Sequence, residues 1–397
     1  MSIAGELNIT LNTSDAHNTR CQIISSRPLQ ASHVFIGKTI DETLTMIPLL
    51  FNICSKAQAV TAVRAIESAK QTPTTPQIES TREALIALES LREQTLRVAM
   101  DWPTFIGVAP ESPLLSHIAM GISKTMKSLE PNQALKYRAF PSQARDRKTQ
   151  EGITQAQSLQ WKTFSETLSN GIFGSSTAAW QASDLDEWAN QEQTQAASFI
   201  NWLSQQTWKN AGESSITQLP AIDDRALLTV LLAEQHQFTS EPAWNNQCHE
   251  LSWFTHKQYD EQSNIAKSIT KNITLKGNGI FSRMVARLLE IAHLMSVLDA
   301  FFIHQETLTA PTSNAKGLAH SHAARGQLSH YIHVEDNTVR KLLILAPTEW
   351  NFHPQGVTKD SLCNLQADNE RDLRQQAKLL IHAIDPCVGY TLNTVMN

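Results

Sequence analysis

Apolar residues recur at helical spacing along much of the chain. After Ser55, the positions Ala59, Val60, Val63 and Ile66 form one stripe, and Leu85, Leu88, Leu91, Leu96 and Ala99 form another within Glu79–Met100. A third comprises Phe281, Met284, Val285, Leu288, Ile291, Met295, Leu298 and Phe302, a face continuous enough to predict a buried bundle helix. Weaker helical patterns cover residues 114–126, 156–168, 185–208 and 224–235. Period-two alternation is confined to two places. Leu7, Ile9 and Leu11 lead through the turn-rich Thr13–Thr19 to Cys21 and Ile23, and Leu328, Ile332 and Val334 lead through Asp336-Asn337 to an apolar run over 339–346. These predict β-hairpin units at 6–36 and 327–346. Pro48 predicts a break before the first stripe, because it lacks an amide proton and restricts Ile47. The pattern predicts an α-rich (α+β) fold, with a central bundle of residues 54–70, 79–100 and 281–304 flanked by the hairpins. No internal repeat or low-complexity linker divides it.

Charge and composition narrow the partners. A formal net charge of −5 over 397 residues leaves no electrostatic footprint for nucleic acid or an anionic membrane. The longest apolar runs, such as residues 226–233, fall well short of a membrane span, and Met1–Leu11 has no signal-peptide pattern. Five scattered cysteines argue against a disulfide framework and for a reducing compartment, so a cytoplasmic location is expected.

Candidate chemistry gathers at two cysteines. Ser55 followed by Gln58 fits a capping box, which places Cys54 just before a helix N-terminus, where free amides and the dipole favour a thiolate. Cys54 reads equally as a small core hydrophobe, and this stretch alone does not choose. At the far end, Asp385-Pro386-Cys387 sets a second cysteine beside a chain break. Cys248-His249, with His236 and His256, has looser spacing than zinc sites use. Among the histidines of the second hairpin, His330 shares a strand face with Leu328 and Ile332 while His333 points away, so His320, His322, His330 and His333 form no common site. The tryptophans between residues 161 and 253 read as packing.

Taken together, the two cysteine stretches resemble the large subunit of nickel–iron hydrogenases, whose motifs are R-x-C-G-x-C near the N-terminus and D-P-C-x-x-C-x-x-H at the C-terminus. FNICSKAQ lies over the first and DPCVGYTLN over the second. Ser282-Arg283, Ala286-Arg287 and Glu290 match S-R-x-x-A-R-x-x-E, and Arg325-Gly326 followed by Pro347-Thr348-Glu349-Trp350-Asn351 matches P-R-G and V-P-T-x-W-N, with Ala324 in place of the proline. The resemblance covers most of residues 1–70 and 280–397, and the middle more thinly. It implies one large-subunit-like domain over 1–397, with an N-terminal β unit (6–36), a helical core (43–310), a β-hairpin region (317–354) and a C-terminal helix with the Asp-Pro-Cys motif (370–397).

The departures carry the functional reading. The family holds nickel and iron with four thiolates, but Phe51 and Tyr390 stand at two of those places, leaving Cys54 and Cys387. Neither Phe nor Tyr supplies the soft sulfur that nickel needs, so no nickel and no hydrogen turnover are expected. Ala4 stands where the family carries a glutamate implicated in moving protons, and Asn393 where its precursors are cleaved. The resemblance implies that Arg325 and Thr348, with Pro347 and Asp385, surround an Fe(CN)2(CO) unit carried transiently on Cys54 and Cys387. Arg287 is expected to pair with Glu290, whereas Glu89 and Glu93 read as surface pairs with Arg92 and Arg97. The combination is similar to the HupK/HoxV-type hydrogenase expression/formation proteins. It implies a non-catalytic scaffold whose partners are the maturation complex that delivers the iron unit and the hydrogenase large-subunit precursor. Two other readings are a degenerate hydrogenase or hydrogen sensor that binds nickel, and a metal-free partner of the maturation machinery.

Overall fold

The computed structural model describes residues 5–13, 19–28, 31–129, 134–137, 152–252 and 277–396, together with Phe254 and Lys267. Its helices include α1 (Ile40–Leu50), α2 (Ser55–Lys70) and α3 (Pro76–Leu96). Its strands are β1 (Glu6–Thr13), β2 (Thr19–Ser25), β3 (Leu318–Ala323), β4 (Gly326–Glu335), β5 (Thr338–Leu345) and β6 (Gly389–Met396). The expected bundle is present: the Ile280–Phe302 helix is buried along nearly its whole length and packs against α3. An apolar surface on every side can only be satisfied that way. Trp161 stacks on Phe302 and Trp180 on Phe173, and both tryptophans are fully buried, consistent with packing. Trp253 lies outside the described residues.

Two three-stranded sheets flank the bundle. β3, β4 and β5 form an antiparallel meander in which Asp336 (φ 45°) and Asn337 (φ 61°) make the left-handed two-residue turn expected from the sequence. In the other sheet, β1 pairs antiparallel with β2 and parallel with β6, in the order β2-β1-β6. Neither β3 nor β6 was foreseen. The parallel pairing of β1 and β6, from Glu6 with Gly389 to Thr13 with Met396, fastens the end of the chain to its beginning.

Local breaks differ from expectation in two places. Pro48 lies inside α1, where the Thr39–Glu42 capping box holds the helix start and only the final turn bears the missing amide. The pattern over 185–208 is interrupted at Glu192 (φ 49°), giving the helices Leu185–Gln191 and Gln195–Ser204. Among the described residues no single helix is long and apolar enough to cross a membrane.

Candidate functional site

The ends and the middle of the chain converge on one cavity of about 390 Å³. Cys54 reaches it from the start of α2, Arg325 from the β3–β4 turn, Pro347 and Thr348 from the helix Pro347–Asn351, and Cys387 from the segment before β6. Phe51, Ala323, Leu328, Ile344 and Val388 make most of the wall apolar. The pairing of β6 with β1 is what carries Cys387 across to Arg27, which follows β2 and also lines the cavity.

Arg325 is buried, and its backbone position depends on Gly326. That residue has φ 125°, and an added Cβ would lie 1.7 Å from the Leu251 carbonyl oxygen. The Arg325 carbonyl accepts from Asn351 Nδ2 at 3.2 Å, and the neighbouring Ala324 carbonyl accepts from Gln94 Nε2 at 2.7 Å. One edge of the guanidinium meets Glu93 at 3.2 Å and Asp385 at 3.3 Å. Its Nε and its other terminal nitrogen donate to no partner among the described residues. Burial acts to lower the Arg325 pKa, but Asp385, Glu93 and the two cysteine sulfurs outweigh it and hold the cation above its ordinary value.

Asp385 supports the cavity from behind and is not among its lining residues. It ends the helix Glu370–Ile384 in a left-handed conformation and meets Arg97 Nε at 3.1 Å, Arg325 at 3.3 Å and Arg287 at 3.7 Å. Burial alone would raise its pKa, yet the three guanidinium groups, Arg325 foremost, hold it well below the usual carboxylate range. Arg287 also serves Gln94 Oε1 and, at 2.9 Å, the His382 carbonyl, so its ion pair is with Asp385 and not with Glu290 as expected. Burial pushes the Glu290 carboxyl up to about 7, with Arg287 opposing.

The α2 start corrects the sequence reading. Ser55 and Gln58 form no capping box, because no side chain of α2 caps its own N-terminus. Glu89, buried on α3, does so instead: its carboxylate accepts from Lys56 N at 2.8 Å, Ala57 N at 3.0 Å and Ser55 Oγ at 3.2 Å. Glu89 and Glu93 are therefore not surface pairs; Arg92 meets Glu93, and Arg97 turns to Asp101 and Asp385. Gln58 instead lines the cavity beside Cys54 and accepts from His330 Nε2 at 2.8 Å. With its amides already answered by a carboxylate, the helix start does not favour a thiolate at Cys54. Burial pushes the Cys54 thiol up to about 12, helped by Cys387 and Glu89 and opposed by Arg325 and Gln58. Cys387 is held in place by Thr348, whose Oγ1 donates to its sulfur at 3.0 Å, and Arg27 lines the cavity beside it.

The substituted positions part company. Phe51 lines the cavity, whereas Tyr390 pairs with Leu7 on β6, outside the lining and near Arg97 and Asp101. Asn393 is exposed opposite Thr10, and Ala4 lies outside the described residues. Among the described residues no group of three or more His, Cys, Asp or Glu side chains could hold a metal ion. Cys248 faces His353 Nδ1 at 3.2 Å and His236 meets His33 at 2.6 Å, while His256 is outside the described residues. His320 joins Asp224 and Ser329, and exposed His333 points away from buried His330.

Arg27, Glu89, Gln58 and Gln94 were not recognisable as site residues from local sequence. The one available signal was Glu89, a charge on the face that carries Leu85 and Leu88.

The chain resembles proteins of known name and fold. A family model described as nickel-dependent hydrogenase matches residues 116–391. A hydrogenase expression/formation protein HupV of Azotobacter chroococcum is 26% identical, with 99% of each chain covered. The corresponding HoxV of Cupriavidus necator is also 26% identical, over 93% of this chain and 92% of the relative. The structure of the Ni-Fe-Se hydrogenase from D. vulgaris Hildenborough superposes with a TM-score of 0.62 at 12% identity, covering 93% of each chain, which shows the shared fold. With the family model spanning most of its length, the chain belongs to the nickel-dependent hydrogenase family, and its full-length relatives include hydrogenase expression/formation proteins.

Proposed function

We propose that this protein is a non-catalytic scaffold of hydrogenase maturation that carries an Fe(CN)2(CO) unit as cargo on Cys54 and Cys387. The observation that carries the reading is the convergence of those two sulfurs, from opposite ends of the chain, on one apolar cavity beside a buried guanidinium with unpartnered N–H groups. Cyanide on iron is a good hydrogen-bond acceptor, and Arg325 Nε and its free terminal nitrogen are donors without a protein partner. The apolar wall formed by Leu328, Ile344 and Val388 suits carbon monoxide, which needs no donor. Phe51 places a ring where a further thiolate would be required, and this favours iron alone over a nickel–iron pair.

Two thiolates also suit cargo that must leave. The unit would come from the upstream maturation complex and pass to the hydrogenase large-subunit precursor, in the cytoplasm, with no nickel bound. The names of the full-length relatives support an assembly role over hydrogen turnover. Cys387 is the better-oriented first ligand because Thr348 Oγ1 already holds its sulfur.

The test is infrared spectroscopy of protein purified without oxygen after co-production with the maturation proteins. Wild type should show one carbonyl and two cyanide bands, with iron and without stoichiometric nickel. Cys54→Ala and Cys387→Ala should lose the bands and leave the partner hydrogenase poorly assembled. Bands and full assembly kept in both variants would overturn Cys54 and Cys387 as the ligands; a wild type without bands that still supports assembly would be the metal-free partner, and one tightly bound nickel per chain with hydrogen-dependent dye reduction would establish the enzyme reading instead.

A further inference from the structure

We propose that Arg27 is a second anion-recognising side chain of the cavity, selecting cargo whose ligands carry negative charge. The inference rests on the scaffold reading above and adds a residue to which neither the sequence motifs nor the comparisons assign a role. Arg27 and Arg325 are the two cationic side chains among the lining residues, and they approach from different segments, one after β2 and one between β3 and β4. Cys54 and Cys387 line the same cavity as both cations, and the charge of both sulfurs acts on each guanidinium.

The position of Arg27 is constructed rather than incidental. An added Cβ at Gly5 would lie 2.5 Å from the Arg27 Cα and 2.7 Å from its backbone nitrogen, so the chain can pass there only because residue 5 is glycine. Glu349 then meets the guanidinium at 2.7 Å, with each side chain 17% exposed. Glu349 follows Thr348, which donates to the Cys387 sulfur, while Arg27 enters the same cavity from its own segment. A largely buried ion pair is a weak device for stability, since desolvation offsets most of its attraction. An ion pair that aims a planar cation at a metal-binding sulfur has a use in recognition. Cyanide offers a compact anionic acceptor, and guanidinium groups answer it with charge-assisted bonds in this largely apolar cavity. Arg325 divides its charge among Asp385, Glu93 and the cavity, so Arg27 supplies the recognition on the Cys387 side.

The test uses the full-length protein loaded with the iron unit as above, comparing wild type, Arg27→Gln, Arg27→Lys and Glu349→Gln. Arg27→Gln should shift the cyanide bands and shorten the retention of iron during buffer exchange about tenfold, the scale of one lost charge-assisted hydrogen bond. Arg27→Lys should recover most of the retention without restoring the band positions, because the charge returns but the planar fork does not. Glu349→Gln should keep the cation and lose its aim, giving a smaller band shift. Matching thermal unfolding curves would separate these effects from misfolding. Wild-type bands and wild-type retention in Arg27→Gln would overturn the inference and leave the scaffold reading intact. Absence of bands from wild type itself would remove both.

Discussion

The carboxylate of Glu89 should hold the start of the helix that positions Cys54, and its removal tests how the site is built. In Glu89→Ala, the amides of Lys56 and Ala57 lose acceptors at 2.8 and 3.0 Å, and Ser55 Oγ loses one at 3.2 Å. Each hydrogen bond to a charged acceptor is worth about 1.5–3 kcal/mol, and a buried unpaired amide incurs a penalty of similar size. Against this, burial raises the Glu89 pKa, so removing the charge recovers part of the loss. The net cost should be about 3 kcal/mol, or a fall in Tm of about 4 °C for a chain of this size. Glu89→Gln, which keeps one acceptor oxygen and the shape, should lose about half as much. Ser55→Ala, which removes only the longest of the three bonds to that carboxylate, should lose about 1 kcal/mol. Thermal and urea unfolding followed by circular dichroism measure all three. A Glu89→Ala protein as stable as wild type, or a Ser55→Ala protein that falls as far as Glu89→Ala, would refute the cross-helix cap and return the role to Ser55 itself.

Two further outcomes follow from buried charge. Asp385→Asn should cost about 3–5 kcal/mol, because it leaves Arg97, Arg287 and Arg325 without their shared anion; asparagine tolerates the left-handed backbone at φ 64°, so strain does not confuse the result. Unfolding free energies within about 1 kcal/mol of wild type would refute that account. Glu290, pushed up to about 7 in the folded protein, ionises only at a cost, so its contribution is complete below its unfolded value near 4.5 and is lost as pH rises through about 7. Between pH 5 and pH 8 wild type should therefore lose up to roughly 3 kcal/mol that Glu290→Gln retains, measured by urea unfolding at each pH. Equal pH slopes in the two proteins would exclude the buried carboxyl as the cause.

The order of determination can be read from particular residues. The stripe from Phe281 to Phe302, the stripe within Glu79–Met100 and the Asp336-Asn337 turn were legible because helical period and turn conformation are local properties. Cys54, Cys387, Arg325 and Thr348 were legible as chemistry because motif spacing marks them, and the fold brings them to one cavity. Periodicity reports which face of a segment is apolar, but says nothing of which distant segment will meet it. Pro48 could therefore be absorbed into the last turn of α1, and Gly389–Met396, a short mixed run, could become β6 once β1 offered an unpaired edge. The state of Cys54 was misjudged for the same reason. A helix start promises positive potential, but Glu89, 35 residues further along the chain, supplies the anion that answers it. Arg27 has no motif at all, and only the parallel pairing of the chain's two ends and the missing Cβ of Gly5 set its guanidinium beside Cys387. The helical stripes, the tight turn and the two candidate cysteines are local and thus written in the sequence. The charge around those cysteines is a sum over segments far apart in the chain, and only the tertiary fold brings the segments together.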